Sequence, residues 1–135
     1  MTRRLLVVTL VMATAAVGCG PGGSSSPAKS LGPVIVTFEV GDERFKALLT
    51  EPTDIDTARH LLAGDDVPSI PNGRVIRETG VNTGYSWSMD PDDIQFADVT
   101  IEACDGLPSD VEAGTISGDR YCPWSAVVVA IDPES

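Results

Sequence analysis

A chain of 135 residues, 42% of them hydrophobic, has room for one domain and its flanking segments. Twenty acidic against nine basic residues give a net charge of −11 at pH 7. That balance argues against a nucleic-acid groove and against adhesion to anionic lipid headgroups, because no basic patch overrides the repulsion.

Arg3 and Arg4 precede an apolar run, Leu5 to Val17, that is shorter than the roughly 20 residues a bilayer-spanning helix needs. A charged start, an apolar stretch and a small-residue exit predict an export signal over residues 1–18. The exit Ala16-Val17-Gly18-Cys19 resembles the bacterial lipobox, with Ala16 standing where Leu is usual. The expectation is cleavage before Cys19, acylation of Cys19 and anchoring in the lipid bilayer at the extracytoplasmic face of the cell membrane. Several acyl chains, at about 0.8 kcal/mol per buried CH2, make that attachment permanent. Loss of Arg3 and Arg4 leaves seven basic residues against 20 acids, a net −13. Residues 19–33, rich in Gly, Ser and Pro, read as a flexible tether.

Lipidation of Cys19 leaves Cys104 and Cys122 as an even pair in an oxidising compartment, so a disulfide between them is expected. It contributes about 3 kcal/mol in the chain-entropy account. The alternative, a metal site, needs another soft ligand, and the one histidine, His60, is remote in sequence.

Residues 34–133 form the expected globular domain. Val34, Val36, Phe38 and Val40 alternate with Ile35, Thr37 and Glu39, the period of a half-buried strand. Gly41-Asp42-Glu43 reads as a turn, and Arg44 to Thr50 as the returning strand with Phe45, Ala47 and Leu49 inward. Pro52 and Thr53 open a helix, with Thr53 as its cap, Asp54 and Asp56 at its positive end, and an apolar stripe of Ile55, Ala58, Leu61 and Leu62. Gly64 stops it. Asn72-Gly73 is a tight-turn signal before a short strand at 74–77. Residues 85–89 read as extended, Asp90-Pro91-Asp92-Asp93 as a turn, and alternation of Ala97, Val99, Ile101 and Ala103 as a strand. A variable loop reaches Arg120, and the continuous apolar run 126–131 reads as a strand buried on both faces. The fold class that follows is α+β: a small twisted antiparallel sheet with one main helix on one face and one disulfide.

The stretches Tyr85-Ser86-Trp87-Ser88-Met89-Asp90-Pro91, Phe96, Ile101-Glu102-Ala103-Cys104-Asp105 and Tyr121-Cys122-Pro123-Trp124-Ser125 form a recurrent pattern. Asn72-Gly73-Arg74, Asn82, Phe38, Phe45 and Leu49 fit it as well. Together, over residues 34–130, they resemble the BP-seventy-four N-terminal domain family, named after a calmodulin-binding protein. The resemblance implies a domain type without an assigned activity. It also implies that His is frequent where this chain has Ser88, so chemistry resting on that His is not expected here. Calmodulin is not expected as a partner, because its targets are basic amphipathic helices and the helix around Ile55 is acid-rich.

Trp87 and Trp124 admit two readings: core residues, with Trp124 packed over the Cys104–Cys122 bridge, or an aromatic binding platform shared with Tyr85. Since loops carry function more often than strands, the 82–93 segment is the candidate surface, with Asn82, Tyr85, Trp87 and Asp90 as candidate binding residues. Asp90, Asp92 and Asp93 suggest a cation, yet the EF-hand pattern fails at Gln95 and Ile101, where Gly and Glu are required, so a structural turn is expected. His60 is expected to serve the helix dipole, and no nucleophile elbow or zinc-binding His pair is found. Glu39 and Glu102 could do acid–base work only if the fold joins them. The expectation is a non-enzymatic recognition or structural domain, with no cofactor and with an unidentified protein or envelope partner. The alternatives are a carboxylate-dependent envelope hydrolase and a cation-binding module.

Overall fold

A computed structural model describes residues 32–135. The expected leader, Cys19 and all but the last two residues of the expected tether lie outside them. Strands β1 (Val34–Val40) and β2 (Glu43–Leu49) form the expected hairpin, in register from Val34 opposite Leu49 to Val40 opposite Glu43. Val34, Val36, Phe38 and Val40 of β1 and Phe45, Ala47 and Leu49 of β2 are buried on one face, as period-two alternation requires. The C-terminal strand β7 (Val127–Pro133) returns to pair antiparallel with the other edge of β1, completing a sheet of order β2-β1-β7.

Helix α1 (Pro52–Leu62) packs against β7. It starts at Glu51 as N-cap with Pro52 in the first turn, two residues earlier than the Thr53 cap read from sequence. Proline at this position forgoes an N–H that has no helical partner anyway, so Pro52 sets the start. Ile55 and Ala58 are buried and Leu61 is partly so, but Leu62 has turned out to solvent. Gly64, at φ 86°, ends the helix in the left-handed conformation that only glycine adopts cheaply.

The second sheet is built around β3 (Ile70–Ile76). It pairs antiparallel with β4 (Ser88–Met89), β5 (Gln95–Ala97) and β6 (Arg120–Tyr121). Asn72-Gly73 therefore lies inside a strand and makes no turn. A Cβ on Gly73 would stand 2.9 Å from Met89 Cε and 3.2 Å from Ile94 Cα. This glycine is present so that backbone and core can approach closely. The expected strand through Ile101 is also corrected. β5 ends at Ala97, and Glu102–Cys104 forms a 3-10 turn instead. Among the described residues nothing covers Val99 and Ile101, which stand 82% and 70% exposed.

Within the loop expected before Arg120 there is a second helix, α2 (Pro108–Ala113). Pro108 opens it, the Asp110 carboxylate accepts the Leu107 backbone N–H at 2.8 Å, and Gly114 at φ 73° closes it. The run 126–131 is not buried on both faces: Val127 is exposed while Val128, opposite Phe38, is buried, because successive side chains point to opposite faces and the core lies on the Phe38 side. Over the described residues the class is α+β, with two antiparallel sheets rather than one, a single long helix, and a disulfide joining Cys104 to Cys122.

Between the sheets lies an aromatic core. Phe38 stacks on Phe45 at 5.0 Å between centroids, and Phe45 lies 5.7 Å from Trp87 and 5.3 Å from Tyr121. Trp87 and Tyr121 meet edge to face at 5.4 Å and 80°. Such geometry aims a positive ring edge at a negative ring face and adds about 1 kcal/mol to the burial itself.

Candidate functional site

The 82–93 segment turns out to be mostly a fastening. Asn82 is fully buried: its Oδ1 accepts the Lys46 backbone N–H, and its Nδ2 donates to the Trp87 carbonyl, both at 2.9 Å. It ties this segment to β2 and sets Trp87 in the core. Trp87 is 0% exposed, and among the described residues its indole N–H has no hydrogen-bond acceptor. Neither residue offers surface to a partner, which corrects their place in the expected platform. Ser88 is buried too, lining a cavity of about 220 Å3 with Leu48, Ile76, Val81 and Met89.

Asp90 is drawn inward by charge. Its carboxylate pairs with the Arg74 guanidinium and accepts the Asp92 N–H at 3.0 Å. The Arg74 hydrogen bond, foremost, holds the Asp90 carboxyl below its ordinary value. Asp93 accepts the Arg74 backbone N–H at 2.9 Å and pairs with Arg120 at 2.8 Å. Asp90 and Asp93 are thus engaged by arginine and backbone donors, the arrangement of a structural turn. Glu39 is likewise held by Arg44 at 2.8 Å.

Tyr85 is half-buried beside the core, 5.6 Å from the Trp87 ring. Burial, with Glu43 and Glu112 nearby, raises its hydroxyl above the ordinary value. Those two acids act as clasps. Glu112 accepts both the N–H and O–H of Ser86 at 3.0 and 2.8 Å, and Glu43 accepts those of Ser109 at 2.8 and 2.7 Å.

The exposed apolar surface lies elsewhere, around the disulfide. Cys104 and Cys122 stand 5.0 Å apart at Cα, and the Cys122 N–H donates to the Cys104 carbonyl at 2.7 Å. Both sulfurs rest within 3.5 Å of the Ile101 carbonyl oxygen. Trp124, two residues past Cys122, is not packed over this bridge in the core, as one sequence reading has it; it is 42% exposed. Its placement is polar. The backbone N–H donates to Asp105 Oδ1 at 2.8 Å, and the indole N–H donates to Thr100 Oγ1 at 2.6 Å. These bonds fix Trp124 beside Val99, and the two line a shallow cavity of about 220 Å3 with Ile70, Asp98 and Thr100. Ile101, also exposed, stands two residues beyond Val99, with its carbonyl oxygen facing the disulfide.

Sequence reading missed this surface because alternation predicts which side chains share a face, not whether anything covers it. The available signal was the separation of Val99 and Ile101 from any second apolar segment that could pair with them. Among the described residues, no group of three or more His, Cys, Asp and Glu side chains is disposed to hold a metal ion, and no helix is long and apolar enough to cross a membrane.

A family profile described as the BP-seventy-four N-terminal domain matches residues 33–135, the whole of the fold described above. No curated protein and no solved structure matches the chain.

Proposed function

The chain belongs to the BP-seventy-four N-terminal domain family, and from that premise we propose that it is an exported, lipid-anchored recognition module that works by binding rather than by catalysis. The observation that carries the reading is the surface of Val99, Ile101 and Trp124, pinned by the Cys104–Cys122 bridge. Three large apolar side chains stand exposed in this neighbourhood, Val99 and Trp124 of them lining one cavity, and such exposure marks a contact surface. Covering each one contributes about 1.5–3 kcal/mol. The neighbouring disulfide ties the two chain segments that carry them together before any partner arrives, which lowers the entropy cost of association.

The cysteine pairing also supports the address. With Cys104 and Cys122 joined, Cys19 is the one cysteine left, at the end of a leader-like segment and in a lipobox-like setting. A tether of Gly, Ser and Pro between it and the fold then carries the module clear of the bilayer surface. Glu39, one of the two acids weighed for acid–base work, is already paired with Arg44, which favours recognition over hydrolysis as the use of this fold.

Intact-mass measurement of the protein extracted from membranes tests the address. The expected result is a chain beginning at Cys19 with added acyl mass. A full-length unmodified chain in the soluble fraction overturns it.

A further inference from the structure

We infer that the surface formed by Val99, Ile101 and Trp124 docks a basic polypeptide segment that carries apolar side chains of its own. This rests on the reading of the domain as a recognition module and names the partner class that the module takes. The apolar side chains supply the contact; the charges around them select the partner.

Residues 98–105 contain three acids, Asp98, Glu102 and Asp105, and no Lys or Arg. All three are exposed, and none takes part in an ion pair among the described residues. Residues 121–128, which bring Trp124 to the surface, contain no basic residue either. The neighbouring Arg120 is committed to Asp93 at 2.8 Å and to Asn72 at 3.1 Å. Among the described residues, the apolar patch therefore sits in a negative field with no basic side chain paired to these acids.

That field discriminates among occupants. A second copy of this chain would bring the same acids and a net charge of −11 against their equals, since a two-fold interface uses one patch twice. Anionic lipid and nucleic acid are repelled for the same reason. A basic segment is attracted, and its Lys or Arg stems add apolar cover while their heads meet Asp98, Glu102 and Asp105. The Trp124 indole N–H is already given to Thr100. What remains is the ring face, the part of the side chain that a cation prefers.

The test uses the full chain on its own lipid anchor in zwitterionic nanodiscs, or free in solution if it carries no acyl mass. The probe is a synthetic peptide of alternating Lys and Leu, titrated by fluorescence anisotropy against empty nanodiscs, with a Glu-for-Lys peptide as control. Saturable binding of the basic peptide alone is expected, weakening as salt rises. The Val99→Ser/Ile101→Ser double variant is expected to bind at least tenfold more weakly, with an unchanged thermal midpoint. Asp98→Asn/Glu102→Gln should weaken binding severalfold and flatten its salt dependence. Equal binding of the acidic peptide, unchanged affinity in both variants, or a dimer in sedimentation that the apolar variant abolishes overturns the proposal. Failure of the address reads out separately, as missing acyl mass before any peptide is added.

Discussion

Trp87 and Trp124 are the two tryptophans of this chain, and the fold treats them oppositely. Trp87 is held by packing. Its ring is enclosed by Phe45, Tyr85 and Tyr121, and Asn82 grips its carbonyl. Trp124 is held by polar bonds, one from its backbone to Asp105 and one from its ring to Thr100, with nearly half of its surface open. Apolar size by itself does not decide burial. A side chain goes inside only where two layers meet over it; where one layer ends, as it does past β5, local hydrogen bonds can hold an aromatic ring in water.

The sharpest way to break this contrast is to truncate each tryptophan. Trp87→Ala should cost about 3–5 kcal/mol, read as a lower urea midpoint, because it opens a cavity among the surrounding rings. Trp124→Ala should cost far less. Comparable losses in the two variants would erase the distinction between core and surface.

Next in size is the bridge. Cys104→Ser/Cys122→Ser should cost about 3 kcal/mol, the loop-closure contribution for cysteines 18 residues apart. Acrylamide quenching of a Trp87→Phe background should also rise as Trp124 loosens. A stability unchanged by removing the disulfide would show that hydrogen bonds alone hold the exposed region.

Asn82→Ala comes third. It leaves the Lys46 N–H and the Trp87 carbonyl without partners, and about 2 kcal/mol of stability is expected to go with them, measured by denaturant unfolding. Binding through the Trp124 surface should be untouched, and a lost affinity here would couple the two regions.

The smallest effect is on pH. His60 sits between Asp65, at 2.7 Å, and Asp56, at 3.5 Å, and the Asp65 hydrogen bond first of all raises its pKa above 6.5. Because the folded value is the higher one, protonated His60 stabilises the fold fully below pH 6.5, and that contribution fades as pH rises through the folded value. The difference in thermal midpoint between the native chain and His60→Gln should follow that course. A difference that grew with pH would reverse the sign.

Much of the domain was legible from residue order. Period-two alternation identified β1 and β2 with the right faces inward, and Pro52, Ile55, Ala58 and Gly64 outlined α1. The family pattern placed the domain, and cysteine parity identified the pair that is bonded. Asn82 and Trp87 stand out in the sequence as candidates for loop recognition, but the structure gives both to the core. Large polar and aromatic residues in a Gly-flanked segment look alike in sequence whether they face inward or outward.

Local order could fix strand periods, one helix and the parity of the sulfurs, because each depends on neighbours a few residues apart or on a simple count. Whether Gly73 turns the chain or lets Met89 and Ile94 press against it, and whether Val99, Ile101 and Trp124 are covered or bare, was decided only in three dimensions. Those outcomes depend on which distant segment arrives, and a covering layer is a property of the packed molecule, not of the stretch being covered.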